Sequence, residues 1–236
     1  MKILAFSDLH DEEVALERII ALAPTYDLVL ACGDLSQSVS FTEDFLTHVK
    51  NALIIPGNWD SEAVNNTLAQ SAQYNHAKKK PLSRDHGSQL SIVGFGFTPP
   101  TPYGTFGELS EEEMYKGLSA LDIDQKTILM LHCPHYGYLD ITKKGDHIGS
   151  RSITKIIEEK KPMMALFGHV HEFSGTMMLG KTLMVKLPPA RDLKACKITF
   201  DFTLDSSVGS SVQKQSSSSV SKYKSSESQV VEFVSL

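Results

Sequence analysis

Seven residues carry side chains suited to a pair of divalent cations, and they fall in five short segments: Asp8 with His10, then Asp34, Asn58, His132, and His169 with His171. Carboxylate, imidazole and amide oxygen all bind hard or borderline divalent ions. Asp8 and His10 are two apart, so on an extended segment their side chains share a face. Asp34 has two carboxylate oxygens and can bridge two ions, and Asn58 offers a neutral amide oxygen. Two divalent ions, the Asp8 and Asp34 carboxylates and one bridging hydroxide sum to a formal charge of about +1, which attracts phosphate oxygens. Metal coordination also lowers the pKa of water from about 15.7 to about 7, and two ions ~3.5–4 Å apart stabilise both the attacking and the leaving oxygen of an in-line displacement. Such a site needs no Ser or Cys nucleophile.

Each of the five segments follows a short apolar run. KILAF precedes Asp8, DLVLAC precedes Gly33-Asp34, ALII precedes Gly57-Asn58, TILML precedes His132, and MMALF precedes Gly168-His169. Runs of this length, bounded by turn residues, predict buried strands at 2–6, 27–32, 52–55, 127–131 and 163–167. Helices are predicted at 12–23, where Leu16, Ile19, Ile20 and Ala23 recur with helical spacing, and at 41–50 and 150–160. A further helix at 111–121 opens with the capping-box pair Ser110 and Glu113. Strand, helix, strand, helix, strand argues for a mainly parallel sheet covered by helices. In open α/β sheets the carboxyl ends of the strands converge on one ligand crevice. Further strands are predicted at 90–97, 183–187, 196–202 and 230–236, with 183–187 and 196–202 expected to build a second sheet. Glycines at 33, 57 and 168 permit tight turns beside the ligands.

At 236 residues, with 41% hydrophobic and 22% charged content, the chain has the size and composition of a well-buried globular protein. The reading is one domain over residues 1–236. A flexible serine-rich insertion at about 206–228, too poor in apolar residues to order itself, precedes the last strand. A formal net charge of −5 gives no basic field for bulk nucleic-acid binding. Cys32, Cys133 and Cys196 are too sparse for a disulfide framework. Cys32 reads as a small buried hydrophobe, whereas Cys133 adjoins His132 and is a candidate ligand. No run approaches the ~20 apolar residues of a membrane span, and the opening stretch is too short for a secretory signal. The expectation is a soluble, cytoplasmic protein with no membrane partner; nothing sets its oligomeric state.

In order along the chain, DLH (8–10), GDL (33–35), GNWD (57–60), LHCP (131–134) and GHVH (168–171) resemble the motifs of the calcineurin-like metallophosphoesterase superfamily. That pattern is DxH, GD, GNH followed by an acid, an isolated His, and GHxH, and the resemblance extends to about residue 202. It implies an α/β fold, a four-layer αββα sandwich of two mixed β-sheets. It also implies two divalent ions, Mn²⁺ being expected and Fe, Ni or Zn acceptable to the same donors. By position, Asp8, His10 and His171 would hold the first ion, and Asn58, His132 and His169 the second, with Asp34 between them. Asp34, Asn58 and His132 would be the catalytic residues. The implied activity is hydrolysis of a small phosphoester, foremost a phosphodiester. A phosphomonoesterase and a non-catalytic protein-binding scaffold on the same fold are the alternatives, and a complete ligand set argues against the scaffold.

One position departs from the pattern. Where the family has a His after GN, assigned to protonating the leaving group or steadying the transition state, this chain has Trp59. An indole N–H donates a hydrogen bond but does not transfer a proton near neutral pH. Similar replacements occur in a microbial branch of small phosphoesterases. Either the leaving group needs less acid help, or another group supplies it, with His135 and His147 as candidates, although each reads more readily as a surface or supporting histidine than as the acid. Asp60 is left without a histidine to orient. Arg151 stands at a predicted helix start, where backbone N–H groups can hold phosphate; the alternative is a plain N-cap by Ser150 or Ser152. Asn58, Trp59, His147 and Arg151 form the expected substrate-contact set.

Overall fold

The computed structural model describes residues 1–82, 90–200 and 229–236. In chain order the elements are β1 (Lys2–Phe6), α1 (Glu13–Leu22), β2 (Leu28–Cys32), α2 (Val39–His48), β3 (Ala52–Ile55), α3 (Glu62–Gln70), β4 (Lys78–Pro81), β5 (Ser91–Phe95), α4 (Glu111–Ser119), β6 (Thr127–Leu131), α5 (Arg151–Lys160), β7 (Met164–Phe167), β8 (Gly175–Leu179), β9 (Thr182–Lys186), β10 (Lys194–Phe200) and β11 (Gln229–Ser235). They form two mixed sheets, ordered β11-β10-β1-β2-β3 and β4-β5-β6-β7-β9-β8. In the first, β1, β2 and β3 are parallel, with Ile3 opposite Leu28 and Val29 opposite Ala52, while β10 and β11 add antiparallel. In the second, β5, β6, β7 and β9 are parallel, with antiparallel edges β4 and β8.

Strand side chains alternate between two buried faces, which is why the central runs are apolar at every position. In β1, Ile3 and Ala5 face the space between the sheets, while Leu4 and Phe6 face the helices. In β6, Ile128 and Met130 point between the sheets, and Leu129 and Leu131 point to the opposite helical layer. The layers are therefore α1–α3, first sheet, second sheet, and α4 with α5. Each fully buried Leu or Ile in these layers contributes about 1.5–3 kcal/mol. Ser38, Ser61, Ser110 and Ser150 cap α2, α3, α4 and α5, and Ser110 with Glu113 closes the expected capping box. Residues 73–77 stitch the sheets together. Gln73 and Asn75 bond to Ile54 of β3, and Ala77 then bonds to Gly94 of β5.

The late strands divide differently from expectation. β9 joins the second sheet, but β10 joins the first by pairing with β1. The helix α3 and the edge strands β4 and β8 were not legible in the residue pattern. The predicted serine-rich insertion lies outside the described residues. Among those described, no helix is long and apolar enough to cross a membrane.

Candidate metal centre

The ligand candidates sit in the turns just after β1, β2, β3, β6 and β7, so both sheets supply them rather than one. The turns are tightly wound. Asp8 (φ 58°), His10 (φ 50°), Asp34 (φ 53°) and His169 (φ 70°) all adopt the left-handed conformation. Such conformations cost of order 1–3 kcal/mol each in a non-glycine residue and persist where the surroundings fix them. Here backbone bonds do so: Asp8 N–H donates to Gly33 O (3.0 Å) and His10 N–H to Asp34 O (3.2 Å). The His169 N–H donates to Asp8 Oδ2 (3.0 Å). Gly57 and Gly168 are required by close approach, because a Cβ would collide with the Asp34 carboxylate at one and the Asp8 carboxylate at the other.

Two groups of donors result. Asp8, His10 and His171 form an outer group, and Asp34, His132 and His169 an inner one, with the donor atoms of each within 4.8 Å of one another. Asn58 Oδ1 lies 3.1 Å from His132 Nε2 and adds its amide oxygen to the inner group. Asp34 faces both groups: Oδ2 is 3.7 Å from His10 Nε2, and Oδ1 is 3.4 Å from His132 Nε2. The arrangement fits divalent ions. Donors about 2.0–2.2 Å from a common ion stand roughly 3–4 Å apart, as these do. His10 Nε2 is buried with no hydrogen-bond partner, poised between Asp8 Oδ1 at 3.8 Å and Asp34 Oδ2 at 3.7 Å.

Supporting contacts hold the donors. His132 Nδ1–H donates to Cys32 O (2.9 Å), turning Nε2 inward. Asn58 Nδ2 donates to Thr105 Oγ1 (2.9 Å), which donates to Glu108 (2.7 Å), so the amide oxygen faces His132. Asp60 accepts from Gly57 N (2.7 Å), Asp34 N (3.2 Å) and Ser36 N (2.9 Å), bracing the two ligand loops against each other. Lys186 is fully buried, and its ammonium donates to Gly168 O (2.6 Å) and to Val170 O, the carbonyls that alternate with His169 and His171. Arg191 donates its backbone N–H to Asp8 O (3.2 Å) and its guanidinium to His171 Nδ1 (2.7 Å).

Proton affinities follow from burial and charge. Burial pushes the Asp8 pKa up, but the bond to His171 and the charge of His132 hold it well below the usual range. Asp34 is likewise held down against burial, chiefly by His132. Burial works against a charged His132, yet Asp34 raises its pKa to about 9. Burial and the His132 charge lower His169 to about 3, and burial lowers His10. Burial and the Asp34 charge push Asp60 up to about 7. Burial lowers Lys186 to about 8.

The remaining candidates divide. Trp59 lies edge-on to the His10 ring at 4.6 Å, and its backbone N–H donates to Asp34 Oδ1 (2.8 Å). His135 is fully buried, stacked on Tyr138 (5.0 Å) and edge-on to Phe167, with neither ring nitrogen paired. That is an aromatic packing position, out of contact with solvent. His147 stands in neither ligand group; its Nδ1 is held by the buried Asp140 carboxylate at 2.7 Å. The phosphate cradle expected at the start of α5 is already filled. The Glu111 carboxylate accepts from Arg151 N (2.9 Å), Ser152 N (2.8 Å) and Ser150 Oγ (2.8 Å), while Ser150 caps the helix. The Arg151 guanidinium lies over the Tyr136 ring at 3.7 Å. Cys133 is buried against the α4–α5 layer and is in neither ligand group.

Sequence reasoning missed Lys186, Arg191 and Thr105. Only Lys186 left a signal, as the one charge in the apolar run TLMVKL.

A family model described as calcineurin-like phosphoesterase matches residues 1–173. An uncharacterized protein of Methanocaldococcus jannaschii is 30% identical over 200 residues, covering 80% of this chain and 88% of its own length. Among solved structures, a Thermus thermophilus protein is similar with a TM-score of 0.64 at 18% identity, over 83% of this chain and 92% of that one. A dimetal phosphatase from Danio rerio is similar with a TM-score of 0.58 at 10% identity, over 84% of this chain and 92% of that one.

Proposed function

The chain belongs to the calcineurin-like phosphoesterase family, and on that footing we propose that it is a two-ion phosphodiesterase acting on small diesters, with Mn²⁺ as the working metal. The observation that carries this reading is Asp34, whose two oxygens face the two donor groups at 3.7 and 3.4 Å. Bound ions would supply a water acidified to near neutral pH and positive charge for the phosphoryl oxygens.

The chain's own residues set the stage. Asp8, His10 and His171 present donors at the rim, while Asn58, His132 and His169 present them inside. Thr105 and Glu108 fix the Asn58 amide, and Cys32 O fixes the His132 tautomer. Trp59 closes one side of His10 and keeps the Asp34 carboxylate in place through its backbone N–H. Two exposed aromatic residues close in sequence to the donors offer surfaces that the organic groups of a diester could use. Phe106 (49% exposed) follows Thr105, which holds Asn58, and Phe173 (54% exposed) follows closely on His171. The fold shared with a Danio rerio dimetal phosphatase agrees with a two-ion site.

The test is turnover of bis-p-nitrophenyl phosphate against p-nitrophenyl phosphate by protein loaded with Mn²⁺, Fe²⁺, Ni²⁺ or Zn²⁺. The diester is expected to be cut faster, and fastest with Mn²⁺. Preference for the monoester would reassign the chain as a phosphomonoesterase. Absence of turnover with every metal would leave the scaffold reading.

A further inference from the structure

Arg191 occupies a position that the metal-free and metal-loaded protein cannot share. Its backbone N–H is tied to Asp8 O at 3.2 Å, which fixes the residue beside the outer donor group. Its guanidinium stands 2.7 Å from His171 Nδ1, while His171 Nε2 stands 3.1 Å from Asp8 Oδ1. A guanidinium is a donor only, and a neutral imidazole has one N–H and one lone pair. The lone pair of His171 must therefore lie at Nδ1, toward Arg191, with the ring proton at Nε2, toward Asp8.

A cation held by the outer group needs the lone pair at Nε2. The ring proton must then sit at Nδ1, where it meets the Arg191 N–H donor to donor. Two donors at that separation repel, so the guanidinium has to turn away. His132 meets no such conflict, because its Nδ1–H already donates to the Cys32 carbonyl. Arg191 is exposed at the rim and tethered by its backbone, and the Asp8 and Asp34 carboxylates belong to the two donor groups. The acceptor that arrives there is the substrate, and a planar guanidinium matches two phosphoryl oxygens.

We infer that Arg191 grips the phosphoryl group of the substrate, and that metal loading at His171 releases it to do so. The exchange between Arg191 and the cation stands on the geometry alone; only the identity of the anion rests on the phosphoester reading.

The experiment uses the full chain with Arg191→Met and Arg191→Lys, titrated calorimetrically with Mn²⁺ and then with inorganic phosphate. Removing the competitor should tighten the weaker Mn²⁺ equivalent several-fold. The Mn²⁺-loaded Arg191→Met protein should bind phosphate about tenfold or more weakly, and Arg191→Lys should recover part of the loss. On the wild-type protein, nitrogen-resolved NMR should show the His171 ring proton at Nε2 without metal and at Nδ1 with diamagnetic Zn²⁺. Unchanged phosphate affinity in metal-loaded Arg191→Met would overturn the inference, as would a His171 proton already at Nδ1 without metal. If Arg191→Met does not fold, Arg191→Lys and the wild-type spectrum decide. Failure of the hydrolase reading looks different: no ester turns over, while metal and phosphate still bind and the variants still differ.

Discussion

The inner donor group is the more buried and is braced, whereas the outer one is more open and held in a conformation its ion must undo. The His132 side chain is fully buried, while those of His10 and His171 keep 14% and 27% of their surface exposed. Inside, His132 and Asn58 are oriented before any ion arrives, by Cys32 O and Thr105. Outside, His10 Nε2 lacks a partner and His171 presents its lone pair to Arg191. Donors oriented in advance bind more tightly, because less ordering accompanies binding. The inner group should therefore take the first ion and keep it, and the outer group should take an exchangeable one that meets substrate.

The strongest way to break this contrast is to remove what the halves share. Asp34→Asn should lower kcat on the diester by about 10³-fold or more, since it deletes the charge between both groups; a near-normal rate would show that Asp34 is not shared. Next come the paired variants His132→Ala and His171→Ala. The first should weaken the tighter Mn²⁺ equivalent by about 100-fold, and the second should leave it near wild type while weakening only the looser one. Equal effects on both equivalents would erase the distinction.

Protons sharpen it further. Burial opposes a charged His132, but Asp34 raises its pKa to about 9. Because that value lies above the unfolded one, the metal-free protein gains stability from this group that is fully present below pH ~6.5 and lost as pH rises through about 9. An inner ion must displace this proton, so its affinity should rise about tenfold per pH unit up to roughly pH 9. The outer ion should release fewer, because burial lowers the His10 pKa. Calorimetry in buffers of different ionisation enthalpy counts the protons; equal release from both equivalents would remove this difference. The smallest effect is expected from Trp59→His, a few-fold gain confined to substrates with poor leaving groups. An equal gain on good leaving groups would mean that position 59 does no acid–base work.

Much of this was legible in the residues, for identifiable reasons. The bounds of β1, β3 and β6 coincide with KILAF, ALII and TILML, because strands buried on both faces are apolar at every position and turn residues follow them. The short element α3 buries only Val64 and Leu68, and β4 is the polar edge KKKP, so neither has a periodic signal of its own. β10 pairs with β1 from nearly 200 residues away, which no local pattern reveals. The site divides along the same line. Ligand candidates announce themselves after strand ends, but Glu111 filling the α5 start and Arg191 meeting His171 are long-range contacts. His135 shows the limit from the other side: its residue type suggests chemistry, and its burial against Phe167 removes it from solvent.

The proposal of two ions sharing Asp34 is tested most directly by anomalous diffraction at the manganese edge from crystals of the Mn²⁺-loaded protein. Two peaks are expected about 3.5–4 Å apart, with Asp34 between them, the inner one fuller and the outer one partly occupied at limiting metal. A single peak, or two that do not share Asp34, would overturn it.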